Sequence, residues 1–261
     1  MPGSDPVKPL RPVPLSDDQA ALVRSFVFHE DSSVLALNKP PGLSSQGGRG
    51  QVVTLDEMLW AFARPGKARP RLIHRLDRDT SGVILAARTQ PAASFLGKAM
   101  MARKIAKTYL ALVTPGAPDP ASGRIEAPLR RVETGREARM LVCEPDHADA
   151  ESAETRYRTL CSNDSAALLE VFPRTGRMHQ IRVHLASIQR AIAGDAWYGG
   201  ALAVGGLPAP RLMLHASALT FPHPEGGQMT LRAPLPDDFA HLLAQLGLAP
   251  ADGASGVEHV R

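Results

Sequence analysis

Apolar residues along this chain fall in short runs separated by turn-forming residues, a rhythm that favours strands joined by tight turns over long helices. Residues 34–37 read as a buried-type strand, entered from the turn residues 31–33 and ended by Pro40, Pro41 and Gly42. Further runs predict strands at 83–87, 108–113, 155–160, 167–172 and 213–221, with Tyr157 and Thr159 on one side of theirs. Helical spacing is confined to fewer stretches. Thr54 can cap a helix to about Phe62, with Leu55, Met58 and Leu59 on one face. Thr89 can cap another, in which Ala92, Phe95, Leu96, Ala99 and Met100 recur at helical spacing. Residues 178–187 read as a helix, and 239–246 as a closing helix ended by Gly247. Strands outnumber helices and do not alternate regularly with them. The pattern therefore predicts an α+β fold: a mixed, mostly antiparallel central sheet with flanking helices.

Outside these elements the chain changes character. Residues 1–16 carry Pro2, Pro6, Pro9, Pro12 and Pro14 and read as a flexible Pro-rich arm; 250–261 are small and polar and read as a flexible tail. A single domain over 17–249 is expected between them. No apolar run approaches the roughly 20 residues of a membrane helix. The first residues lack the apolar core of a secretory signal, so a cytoplasmic protein is expected. Two cysteines, Cys143 and Cys161, are too few for a disulfide framework or a cysteine-based zinc site. The glycines at 47, 48 and 50 lack the Lys-Ser/Thr ending of a phosphate loop, which argues against ATP and dinucleotides.

Charge adds a direction. The net charge is +4, and 24 of the 30 basic residues are Arg, whose planar fork suits phosphates and bases. Three polar stretches stand out from their apolar flanks. In HRLDRDTSG, residues 74–82, a carboxylate-bearing loop lies between two apolar runs; the residues alone also allow a solvated hairpin with a surface ion pair. In TGRMHQIRVH, residues 175–184, a glycine turn opens the expected helix, and His179 and Arg182 are spaced to share a face. His179 and His184 are five apart and diverge, which is not the i, i+4 spacing of a zinc pair, and His184 reads as structural. In KIAKTYL, residues 104–110, Lys107 and Tyr109 share one face of a strand, where a ring could stack on a base and an ammonium meet phosphate.

These stretches, with NKPPG at 38–42, GDAWYG at 194–199 and RLMLHA at 211–216, resemble the RluA-type RNA pseudouridine synthases in this order, from about Ser33 to Pro234. The resemblance implies a pseudouridine synthase catalytic domain with a cleft along the central sheet. It implies no metal and no organic cofactor, and isomerisation of uridine to pseudouridine in structured RNA, a ribosomal or transfer RNA stem-loop. It makes Asp77 the nucleophile, Arg182 its counter-ion and Tyr109 the ring against the target base, able to take the C5 proton. Arg75 becomes the side chain that enters the RNA helix as the uridine leaves it. Lys107, Arg177 and His179 become RNA contacts; Lys39, with Pro40–Gly42 at the rim of the cleft, reads as an RNA contact or equally as part of a strand end and tight turn. Asp79 occupies a variable loop position, and Asp195, Tyr198 and His215 read as core supports. A small RNA-binding domain of the kind some relatives carry ahead of the catalytic domain is not expected in the short Pro-rich arm, and a monomer is expected. Two other classes stay in view: an RNA-binding or RNA-chaperone protein on the same fold with lost or secondary catalysis, and a hydrolase using His74, His179 or His215.

Overall fold

The structure is a computed structural model that describes residues 14–47, 53–64, 68–135, 137–248 and the backbone of 256–260. Helix α1 (Asp17–Ser25) leads into β1 (Val27–Glu30) and β2 (Val34–Lys39). Then come α2 (Leu55–Met58) with a 3-10 turn (Leu59–Phe62), β3 (Arg71–Leu72), β4 (Ser81–Ala87), α3 (Gln90–Met101) and β5 (Ala106–Thr114). β6 (Ser122–Ile125) and the hairpin of β7 (Leu129–Thr134) and β8 (Glu137–Val142) precede β9 (Thr155–Ser162), β10 (Ala167–Pro173) and α4 (Gln180–Ser187). The chain continues with β11 (Ala191–Ile192), β12 (Ala203–Val204), β13 (Leu207–Pro208), β14 (Leu214–Pro222), β15 (Gln228–Arg232), α5 (Asp237–Gln245) and β16 (Gly256–Val260).

The main sheet runs β1-β2-β4-β14-β5-β10-β9-β6, and each neighbouring pair is antiparallel except β4 with β14. This is the mixed, mostly antiparallel α+β architecture the pattern predicts. Burial explains the two kinds of strand sequence. β4 is buried along its whole length, so it reads as an unbroken apolar run. β9, near the edge, alternates Thr155 and Tyr157 inward with Arg156 and Arg158 outward. The capping threonines do as expected: Thr54 and Glu57 form a reciprocal capping box, and Thr89 Oγ1 accepts the Ala92 N–H at 3.2 Å.

The parallel junction constrains the sequence most tightly. Gly82, the second residue of β4, lies beside Ala216 with φ +117°, and a Cβ there would lie 2.2 Å from the Ala216 carbonyl oxygen. Only glycine lets the two backbones approach this closely. Beside it the buried Ser81 Oγ and His215 Nδ1 are 3.0 Å apart, tying β4 to β14 below the cleft. The β7–β8 hairpin stands off the main sheet and packs on α4 through a small core of Leu129, Met140, Ala153 and Val183.

Several expectations need correction. Phe95, placed on the buried face of α3, is 42% exposed, because that face is narrower and carried by Ala92, Leu96 and Ala99. The helix expected at 178–187 begins at Gln180, since His179 takes a left-handed conformation (φ 52°) and becomes the cap. The tail expected to be flexible from Pro250 supplies β16, which pairs antiparallel with β15 over Gly256–Val260. Helix α1 was not foreseen, because Val23 is its one buried residue and leaves no apolar stripe to read. Residues 1–13 of the expected arm lie outside the described residues.

Candidate active site

The loop between β3 and β4 carries Asp77, and three polar groups, two of them buried, hold it in place. Ser45 Oγ donates to the Leu76 carbonyl at 2.7 Å and accepts the Leu76 N–H at 3.0 Å. His74 Nε2 accepts the Leu85 N–H at 3.2 Å. Burial, together with the Lys107 charge, depresses His74 to about 3, so it is a neutral acceptor at physiological pH. The third group is Lys39, whose Nζ donates to the carbonyls of Pro40, Leu43 and Arg78 at 2.8, 2.9 and 2.9 Å. Lys39 is fully buried, so its placement as an RNA contact is wrong: the ammonium fastens the NKPPG turn to the Asp77 loop. Burial lowers its pKa to about 7 against the opposing pull of Asp79 and Asp77.

Facing this loop is the segment running from β10 into α4. Gln180, nearly fully buried, staples it: its amide donates to the Glu154 carbonyl and Thr155 Oγ1, and its oxygen accepts from Thr175 Oγ1 and the Arg177 N–H. Two residues on, Arg182 projects toward Asp77 with Nη1 3.9 Å from Oδ2. Its main partner is another carboxylate. Asp195, buried to 1% exposure, accepts from Arg182 Nε at 2.7 Å and Nη2 at 2.8 Å. The expected Asp77–Arg182 pair is thus a triad in which Asp195 aims the guanidinium and Asp77 takes its remaining edge. Burial works against the Arg182 charge, but Asp195 and then Asp77 more than offset it, and its pKa is raised. Asp195 also accepts the Trp197 and Tyr198 N–H groups, so one side chain shapes the whole GDAWYG turn.

His179 sits between these parts. Its Nδ1 is 2.8 Å from the Tyr198 hydroxyl, and its Nε2 is 4.0 Å from Asp77 Oδ2. Burial lowers its pKa, with Asp77 and Arg182 pulling in opposite directions. The Met140 N–H donates to the same Tyr198 hydroxyl, linking the β7–β8 hairpin to this cluster.

Asp77, Arg182, His179, Tyr109, Lys107, Arg177 and Arg75 all line one open cleft of about 210 Å³. Tyr109 is 8% exposed; burial and the Asp77 charge push its phenol up, so the ring is neutral. Lys107 is half-buried with a lowered pKa from desolvation, and a Cβ on Gly176 would sit 3.8 Å from its Nζ, so the 175–180 loop passes over it. Arg177 is partly spent, with Nη1 2.7 Å from Glu151 and Nε on the Ser152 carbonyl. Arg75 is exposed at the rim. Asp79 does not line this cleft but the neighbouring one, where it is 58% exposed with Arg78 at 3.7 Å. His184 is the structural residue expected, its ring nitrogens on Thr155 Oγ1 and the Ala127 carbonyl. The Ser81–His215 pair is fully buried and cannot reach a substrate, which removes the support for a hydrolase built on it. Among the described residues no group of three His, Cys, Asp or Glu is placed to hold a metal ion.

Comparison with known proteins bears on what this arrangement belongs to. The sequence model of the RNA pseudouridylate synthase family matches residues 33–187, more than half of the chain and both walls of the cleft. The chain belongs to this family. As an RNA pseudouridylate synthase it is an isomerase. It is similar to ribosomal large subunit pseudouridine synthase C of Yersinia pestis, 36% identical over 88% of this chain and 71% of that one. It is also similar to RNA pseudouridine synthase 4, mitochondrial, of Arabidopsis thaliana, 37% identical over 70% of this chain but only 43% of that one. Among solved structures, human RNA pseudouridylate synthase domain containing 4 superposes with a TM-score of 0.75 at 27% identity, covering 88% of this chain and 97% of that one. The fold of the synthase domain is therefore shared.

Proposed function

We propose that this chain isomerises uridine to pseudouridine in structured RNA, a ribosomal or transfer RNA stem-loop, with Asp77 as the nucleophile. The supporting observation is the carboxylate of Asp77, set in a cleft between a cation held in place by another carboxylate and a neutral aromatic ring. An ionised carboxylate can break the N-glycosidic bond in either of two ways, by displacing uracil at the sugar or by adding to the pyrimidine ring, and the Arg182 guanidinium stands 3.9 Å from Asp77. The Tyr109 ring lies against the base. Because its phenol stays neutral, it passes on the C5 proton only by delivering its own to an acceptor, and Asp77 is the carboxylate whose charge reaches it. Arg75, exposed and at the rim, fills the gap the uridine leaves on flipping. Lys107, Arg177 and His179 line the path of the RNA.

The working unit is one catalytic domain from about residue 17 through β16, acting as a monomer in the cytoplasm. The ribosomal target is supported by the name of the Yersinia relative; mitochondrial relatives such as the Arabidopsis protein make the compartment worth testing by fractionation. Release of tritium from RNA carrying 5-tritiated uridine is the direct assay. Release by the wild-type protein supports the proposal. Binding of the same RNA without release would favour an RNA chaperone on this fold. Turnover is expected to survive EDTA, since the step assigned to Asp77 requires no metal-bound water. Loss of activity on chelation, restored by a divalent ion with the RNA fold unchanged, would contradict it.

A further inference from the structure

Asp77, His179 and Arg182 line a second cleft as well as the first. It has about 760 Å³ of space and opens on the other side of the nucleophile, between the GDAWYG turn and the loop at Arg78. Trp197 forms part of its wall and is 36% exposed. The chain has only two tryptophans and is 5% aromatic, so an indole open to solvent beside the nucleophile calls for a use.

The ring is held firmly. Asp195 Oδ1 accepts the backbone N–H of Trp197 at 3.1 Å, fixing the turn that carries the ring, and the same carboxylate fixes Arg182. Gly194 and Gly200 lock the turn, since an added Cβ would lie 1.8 Å from the Arg211 carbonyl oxygen and 1.9 Å from that of Ile192. His179 meets the indole edge-to-face at 5.5 Å, and the Arg139 guanidinium of the hairpin lies over the ring at 4.9 Å. Arg78, 63% exposed, lines the same cleft with Asp79 at 3.7 Å and offers it a cation. A rigid indole with guanidinium groups around it is the chemistry that receives a nucleobase and its phosphate.

We propose that the second cleft is a subsite for the nucleotide next to the target uridine, bound unpaired with its base on Trp197 and its phosphate at Arg78. The base takes the place of the Arg139 guanidinium on the indole face. The two clefts meet at Asp77, so a strand with the target in one lays its neighbour in the other. An unpaired neighbour is required because a base within a duplex has no free face to offer. This inference rests on the synthase reading of the Asp77 cleft and extends it to selection of the RNA.

The test uses the full chain and RNA oligonucleotides containing the target, with the base removed from the nucleotide on its 5′ side in one set and on its 3′ side in the other. Removing the base on one side should raise the wild-type KM roughly ten-fold, the scale of one base–aromatic stack, with kcat little changed. Trp197→Ala should raise the KM similarly on intact RNA and lose nothing more on the abasic RNA, while Trp197→Phe recovers most of the affinity. Equal losses for Trp197→Ala on intact and both abasic substrates would overturn the subsite and leave Trp197 as packing for His179. A wild-type protein that forms no pseudouridine on any of these RNAs would instead defeat the synthase reading beneath it.

Discussion

Asp77 and Asp79 are two residues apart in one loop, yet the fold gives them opposite surroundings. Asp77 faces Arg182 and His179 at 3.9 and 4.0 Å inside the cleft; Asp79 lies 58% exposed beside Arg78. Replacing Asp77 by Asn keeps its size and removes the charge that makes it a nucleophile. Asp77→Asn should therefore fold and bind RNA like the wild type but turn over at least roughly a thousand-fold more slowly. Asp79→Asn should stay within about two-fold, an exposed pair being worth little. Tritium release by the two variants on one RNA decides this, and an active Asp77→Asn would remove the assignment. Arg75 is tested by substrate choice. Arg75→Ala should lose more activity on a folded stem-loop than on an RNA whose uridine is already unpaired, because flipping then sacrifices less stacking. Equal losses would make Arg75 a general phosphate contact. Residue identity was legible here because motif strings carry it. Lys39 shows the limit: its letter allows either an RNA contact or a buried fastener, and only the three carbonyls around its ammonium decide.

At the scale of elements, the cleft depends on the parallel junction of β4 with β14 and on two histidines near it, the half-buried His74 and the buried His215. The strands were legible because their apolar runs are continuous where buried on both faces and alternating near the edge. The β7–β8 hairpin was not, since its core is shared with α4 and no periodicity within LRRVET or EARMLV records a partner so distant in sequence. Nor could spacing reveal that Asp195, thirteen residues beyond Arg182, is its main counter-ion. The histidines carry a pH consequence. Burial holds His74 near 3 and His215 near 4, against 6.5 in an unfolded chain. Between those values the unfolded chain binds protons that the fold refuses, so stability must fall as pH drops through this window. The free energy of unfolding, measured in urea, should decline from pH 6.5 toward 4 by up to roughly 1.4 kcal/mol per pH unit for each histidine, separately from the fall that Lys39, lowered from 10.5 to about 7, brings between those two values. His215→Gln should flatten that decline. A curve that stays level to pH 4 and falls only where carboxylates titrate would show that these imidazoles are not held neutral.

For the whole molecule, the basic surplus says less about RNA than where the arginines are spent. The chain has 24 arginines, but many on the strands beyond the cleft are matched by a nearby glutamate: Arg124 with Glu126, Arg131 with Glu133, Arg156 with Glu154, Arg158 with Glu170. A paired guanidinium releases fewer counterions from RNA, because its own carboxylate already neutralises it. Among the described residues, the cations that line the two clefts are chiefly Arg75, Lys107 and Arg78, the last sharing its charge with Asp79 at 3.7 Å. Affinity for structured RNA should then fall with salt, with a slope in log–log form of about −2 to −4, as for roughly three to five phosphate contacts. Binding isotherms over a series of potassium chloride concentrations measure it directly. A flat line would place RNA recognition outside electrostatics altogether. A slope of about −8 or steeper would mean that the paired arginines abandon their glutamates for phosphate, and that the strand face beyond the clefts, not the clefts alone, carries the RNA.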